Sequence, residues 1–226
     1  MADNSKIFNW PGWPLDNNPF GEDFDLPARK RMLAGSQILF PFIKKQRKDI
    51  GNIILEIGPF FKPLITPKEF PKAKIFFWEN DYHVLKYLKS IYSKKNVYPI
   101  FCDLDKMEKN SPLKPNLKTK KQFQKIGLKT ISFDSVIVSH VFNYVDYKLF
   151  LTALKKFIKK DGLIFINNVV DYGLPAFFSE RRPKSISETI KTVKKTGYDI
   201  IEKKIFESPD KKHPKNKRLI LVAKSG

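Results

Sequence analysis

From Gly51 onward, short apolar runs closed by turn residues alternate with segments whose apolar residues recur at helical spacing, and few architectures tolerate that rhythm. Ile53-Ile54-Leu55-Glu56-Ile57 stops at Gly58-Pro59 and reads as a buried strand followed by a turn. Lys74 to Glu79 repeats the pattern, and Val84, Leu85, Leu88, Ile91 and Tyr92 then form one apolar helical face. Val97 to Phe101 and Phe133 to Val138 are further strands. Phe150, Leu154, Phe157 and Ile158 mark a helix stopping before Asp161-Gly162, and Leu163 to Ile166 is the next strand. Ile186, Ile190 and Val193 mark a helix ending near Gly197. Tyr198 to Phe206 and Arg218 to Ala223 follow with no helix between them, which predicts a hairpin at one sheet edge. Parallel neighbours need crossover connections, so the rhythm predicts an α/β fold, a mostly parallel, doubly wound sheet with helices on both faces.

Two segments break the rhythm. Residues 1 to about 26 are rich in Pro, Asn, Asp and aromatics without periodicity and read as an arm; a helix from Pro27 to about Arg47 completes an N-terminal unit, residues 1–50, a candidate lid over the site. Residues 51–226 form the main domain. Within it, residues 105–132 are Lys-rich, carry Pro112 and Pro115, and read as a surface insertion. Cys102 is the one cysteine, so no disulfide framework exists. No apolar run approaches the roughly 20 residues of a membrane span, and the N-terminus lacks the order of a secretory signal; the expectation is a cytoplasmic protein.

A net charge of +20 raises the question of a polyanionic partner. The 43 basic residues include Arg only at positions 29, 31, 47, 181, 182 and 218, and the lysines are spread along the chain. Arg is the residue whose fork suits bidentate phosphate contacts, so composition argues against nucleic acid as the partner.

In open α/β sheets the ligand sits beyond the carboxyl ends of the strands, and the residues there are the candidate site. A dinucleotide loop would carry three glycines and no acid facing a pyrophosphate. Here only Gly58 is present and Glu56 is anionic, which favours a ligand with a cationic end over NAD or ATP. Glu79 stands about 20 residues beyond the turn, where this architecture accepts hydrogen bonds from ribose hydroxyls, and its neighbour Asp81 suits the cap of the following helix. Asp103, flanked by Cys102 and Leu104, suits the exocyclic amine of a base. After the fourth strand, Ser139-His140-Val141-Phe142-Asn143-Tyr144 puts an imidazole beside the cleft.

These motifs, taken in order, resemble those of the class I S-adenosylmethionine-dependent methyltransferases. Leu55 to Pro59 is similar to that family's first motif, Glu79 to its ribose-binding acid, Asp103 to its adenine-side acid, and Phe133 to Tyr144 to its fourth-strand motif. Leu154 to Ile164 is similar to its helix, turn and fifth strand. The resemblance implies a seven-stranded sheet with the last strand antiparallel. It also implies S-adenosylmethionine as cofactor, and methyl transfer to an oxygen or nitrogen of a small-molecule or glycan-type acceptor. The implied cofactor residues are Glu56, Gly58, Pro59, Phe60, Glu79, Asn80, Cys102, Asp103, Leu104 and Ser139.

Two departures stand out. Phe60 replaces a second glycine, and a bulky side chain is expected to refuse the positive backbone angle, forcing the loop onto another path. Pro63, Pro67 and Pro71 interrupt the region of the family's first helix, which should be short or displaced. His140 is the candidate general base, its unperturbed pKa lying near neutrality. Acceptor-side candidates are Trp10, Trp13, Asn143, Tyr144, Tyr172 and Arg181. The histidines form no metal-ligand spacing with each other or with Cys102, so no metal is expected. Alternative readings are an RNA methyltransferase tracking phosphates along the 105–132 insertion, and a non-catalytic binding protein of the same fold.

Overall fold

In the computed structural model, which describes residues 36–92, 96–102, 104, 124, 132–170, 182–207 and 217–226, the first element is a short helix, α1 (Phe40–Lys45). Pro41 sits in its first turn, where no backbone donor is needed. The helix is shorter than the predicted one, whose first half lies, with the arm, outside the described residues. There follow β1 (Ile53–Ile57), β2 (Lys74–Glu79), α2 (Tyr82–Tyr92), β3 (Val97–Phe101), β4 (Phe133–Ser139), α3 (Tyr147–Leu154), β5 (Ile158–Val170), α4 (Ile186–Lys195), β6 (Tyr198–Phe206) and β7 (Lys217–Ser225).

The seven strands form one sheet in the order β3-β2-β1-β4-β5-β7-β6. All pairs from β3 to β5 are parallel, and β7 runs antiparallel between β5 and β6. The predicted edge hairpin is therefore present, with β6 outermost. Pro99 is tolerated in β3 because that strand is the opposite edge. The chain winds outward from β1 to β3 and returns to β4, so the switch in strand order falls between β1 and β4.

Alternation sorts the side chains onto two faces. Leu55, Phe76, Val136, Val138, Ile164, Ile166, Leu219 and Leu221 pack under α3 and α4, with Phe150, Leu154 and Val193. Ile54, Ile75, Phe77, Ile137, Phe165 and Ile220 pack under α1 and α2, with Leu39, Ile43, Val84 and Leu88. Each such fully buried aliphatic or aromatic side chain contributes roughly 1.5–3 kcal/mol. Residues 58–73 contain no helix, in keeping with Pro63, Pro67 and Pro71. Phe61, Leu64, Ile65, Phe70 and Ala73 from this irregular stretch fill the second face instead.

One boundary differs from expectation. β5 begins at Ile158, five residues before Leu163, and a 3-10 turn over Lys155–Phe157 joins it to α3. Asp161 adopts φ +62° within this leading half, and the register against β4 shifts between Phe133 and Ser135. The exposed Lys159-Lys160-Asp161 run thus forms an irregular strand start and not a separate turn.

Candidate functional site

The switch point falls between β1 and β4, so the carboxyl ends of these strands and the connection leaving β1 are where a sheet of this kind takes its ligand. Gly58 adopts φ +63°, a region costly for residues with a Cβ, and its N–H donates to the Trp78 carbonyl at 2.9 Å. Pro59 is buried behind it. Phe60 then adopts φ +54°. This corrects the expectation that its bulk would forbid a positive angle. The Phe60 N–H donates to Glu79 Oε2 at 3.3 Å and its ring meets Phe61 edge-on at 4.9 Å. These contacts offset a conformational cost of about 1–2 kcal/mol, so the loop keeps the backbone shape that a glycine would give it.

Glu79 ties this loop to β2. Its Oε1 accepts from the backbone N–H groups of Asn80 (2.9 Å) and Asp81 (3.2 Å), and its Oε2 from Phe60. A carboxylate offers about four lone-pair positions, so one acceptor position remains on Oε2. Burial pushes the Glu79 carboxyl up to about 7, against the three amides, which favour its charged form. Asp81 caps α2, accepting from His83 at 2.7 Å and Val84 at 3.3 Å. Asn80 is exposed at the rim. Tyr82 stacks flat on Phe101, with ring centroids 4.5 Å apart, beside half-buried Cys102 and Leu104. Asp103 lies outside the described residues.

Glu56 has different partners from those expected. The sequence suggested a carboxylate facing a cationic ligand; its oxygens instead accept from the backbone N–H groups of Leu64 (2.9 and 3.0 Å) and Ile65 (3.0 Å). It is 2% exposed, and burial pushes its carboxyl up to about 7. Its role is to pin the irregular 58–73 stretch beneath the site.

His140 follows β4 at φ +63°, with its N–H donating to the Asn167 carbonyl at 2.7 Å. The ring is buried, and its Nε2 lies 3.0 Å from Arg218 Nη1, which also donates to Asn167 Oδ1 at 2.9 Å. Burial, and then the Arg218 charge, push the imidazole down to about 3. A ring so placed is neutral at physiological pH and too weak a base to take an acceptor's proton, which corrects the general-base assignment.

Asn167 Nδ2 continues the network to Ser139 Oγ (3.0 Å), which donates to Ser36 Oγ (3.1 Å) just before α1. On the other face Asn143, buried, accepts from Asn168 Nδ2 at 3.0 Å, while Tyr144 is exposed. Asn167, Asn168 and Arg218 escaped the sequence reading. The one signal was the pair of asparagines ending an apolar strand. Trp10, Trp13, Tyr172, Arg181 and nearly all of the 105–132 insertion lie outside the described residues.

No family model matches the sequence, and no curated protein matches it either. Solved structures do resemble the fold. The 1,6-didemethyltoxoflavin-N1-methyltransferase of Burkholderia thailandensis, crystallised with 1,6-didemethyltoxoflavin and S-adenosylhomocysteine, superposes with a TM-score of 0.56 at 10% identity, over 85% of this chain and 78% of that one. Magnesium protoporphyrin IX methyltransferase from Synechocystis PCC 6803, with bound S-adenosylhomocysteine, gives 0.58 at 11% identity, over 92% and 91%. The [4+2]-cyclase SpnF gives 0.61 at 10% identity, over 84% and 80%. Strand order, the antiparallel β7 and these superpositions together give this chain the fold of the class I S-adenosylmethionine-dependent methyltransferases.

Proposed function

We propose that this protein is an S-adenosylmethionine-dependent methyltransferase acting on an oxygen or nitrogen of a small molecule. The observation that carries the reading is Glu79. It is a buried carboxylate at the end of β2 that shapes the β1 loop yet keeps an acceptor position for a ribose hydroxyl. Gly58 supports it, because a bare α-carbon at the carboxyl end of β1 lets a ligand approach the backbone closely. When bound, S-adenosylmethionine supplies an electrophilic methyl group on a sulfonium. The residues Gly58, Phe60 and Glu79 would hold its nucleoside and amino-acid portions, with Cys102 and Leu104 along the base. Ser139 and His140 border the side from which an acceptor would enter. Aligning nucleophile and methyl while excluding water supplies most of the rate in such a transfer, so no base of the His140 kind is required.

Titration calorimetry with S-adenosylmethionine and S-adenosylhomocysteine tests the proposal. Binding of both is expected; absence of heat and of any thermal shift would exclude it. A same-fold protein such as SpnF carries a cyclase name, so a second outcome is defined: cofactor binding without methyl consumption across a broad acceptor panel would favour the non-catalytic reading.

A further inference from the structure

We propose that Arg218 is a positioning residue that fixes His140 as a neutral ring protonated on Nδ1, so that His140 donates a hydrogen bond to the methyl acceptor. This rests on the reading of the site given above. The geometry runs from three neighbouring strands. His140 directly follows β4, Asn167 lies in β5 and Arg218 is the second residue of β7, where it pairs with Val169 in the antiparallel register. One guanidinium nitrogen, Nη1, lies 3.0 Å from His140 Nε2 and 2.9 Å from Asn167 Oδ1, and its two hydrogens match those two partners. Arginine donates and never accepts, so Nε2 must present a lone pair and the ring's single proton sits on Nδ1. Among the described residues no hydrogen-bonding group meets Nδ1.

The ring is also held against backbone preference. His140 is one of three described non-glycine residues at positive φ, and its backbone N–H is tied to Asn167 by a 2.7 Å bond. Such strain persists where surroundings enforce it, and it concentrates where a side chain must be aimed. A neutral imidazole N–H held in this way matches a carbonyl oxygen or an unprotonated ring nitrogen. The acceptor class this selects is a heterocycle or amide-like molecule carrying such an atom near the methylated position. An amine whose single lone pair is the nucleophile gains nothing from this contact.

The test uses the full chain with nitrogen-15-labelled histidine. The chain has three histidines, so the signal lost in His140→Asn assigns the ring. Near neutral pH the wild type should show a neutral ring protonated on Nδ1. Arg218→Leu should shift the population toward Nε2–H, and Arg218→Lys, which keeps a donor, should restore the Nδ1 form. A wild-type ring protonated on Nε2 or on both nitrogens would overturn the proposal, whether or not the variants fold. With S-adenosylhomocysteine added, pyridine should move the Nδ1 signal and benzene, its isostere without a lone pair, should not. An equal response to both, or to neither, would overturn the donor role. Failure of S-adenosylhomocysteine to bind would instead remove the underlying reading and leave the tautomer result standing.

Discussion

Glu79→Gln should weaken binding of S-adenosylhomocysteine and also remove part of its pH dependence. In the free protein the carboxyl is pushed up to about 7 by burial. A ribose hydroxyl donating to it favours the ionised form, so binding and deprotonation are linked. Affinity should therefore rise with pH up to about 7 and level off above. If the bound form has a pKa about two units lower, affinity falls by about tenfold between roughly pH 8 and pH 6, which is about 1.4 kcal/mol. Glutamine keeps the size but cannot ionise. It also puts an amide nitrogen where one oxygen accepts backbone N–H groups, from Asn80 and Asp81 on one side or Phe60 on the other. Donor would then face donor in free and bound protein alike, which lowers stability, while the ribose hydroxyl loses its charged acceptor, at a cost of about 1–3 kcal/mol in binding. The expected result is binding weakened by roughly 5- to 150-fold near pH 8, with the tenfold pH term gone. Calorimetry on both proteins across this range reads both effects, and taking the ratio cancels ionisation of the ligand itself. A wild-type to variant ratio that stays constant with pH would refute the linkage, and unchanged affinity would show that another acid holds the ribose.

Glu56 should govern stability at lower pH, between its ordinary and its folded pKa. Its folded pKa of about 7 exceeds the model-compound value of 4.5, so the folded state holds the extra proton between them. The stability it contributes is complete below the lower value and is lost as pH rises through the upper one, by about 3 kcal/mol. Urea unfolding of Glu56→Gln should show this slope removed; an unchanged slope would contradict the burial argument. Gly51→Ala should be severely destabilising, because Gly51 sits at φ +76° and an added Cβ would lie 2.2 Å from Asp134 Cβ. A thermal midpoint within a degree or two of wild type would mean that Gly51 and Asp134 do not pack as closely as the structure places them. Asp81→Ala should cost about 1 kcal/mol in urea unfolding by uncapping α2, and no loss would show that the cap is idle.

The sheet was legible because buried parallel strands are continuous apolar runs, and β1, β2 and β3 match their expected limits. Three prolines announced a short or displaced helix after β1, and residues 58–73 hold none at all. The start of β5 was not legible, since Lys159, Lys160 and Asp161 carry no strand pattern and fall in the register shift against β4, beyond the Ile158 pairing with Phe133. Spacing alone pointed to Glu79, which the structure buries at the end of β2. The partners of His140 were invisible because Arg218 lies 78 residues away and only the β5–β7 register brings it across. Phe60 was misjudged for a related reason: its strain is offset by Glu79, 19 residues along the chain, a contact no local rule contains.

The irregular path of residues 58–73 also restricts which ligands the site can take. Where a helix follows the first strand, its leading N–H groups converge with the positive end of the helix dipole and attract a pyrophosphate. Here no helix begins behind Gly58, and the N–H groups of Leu64 and Ile65 already donate to a group built into the protein, the Glu56 carboxyl. A phosphorylated cofactor would find no electropositive cradle at this loop and a buried acid beneath it. The β3-β2-β1-β4-β5 order is shared with sheets that serve dinucleotides elsewhere, and here three prolines and one glutamate leave the first loop without a phosphate cradle.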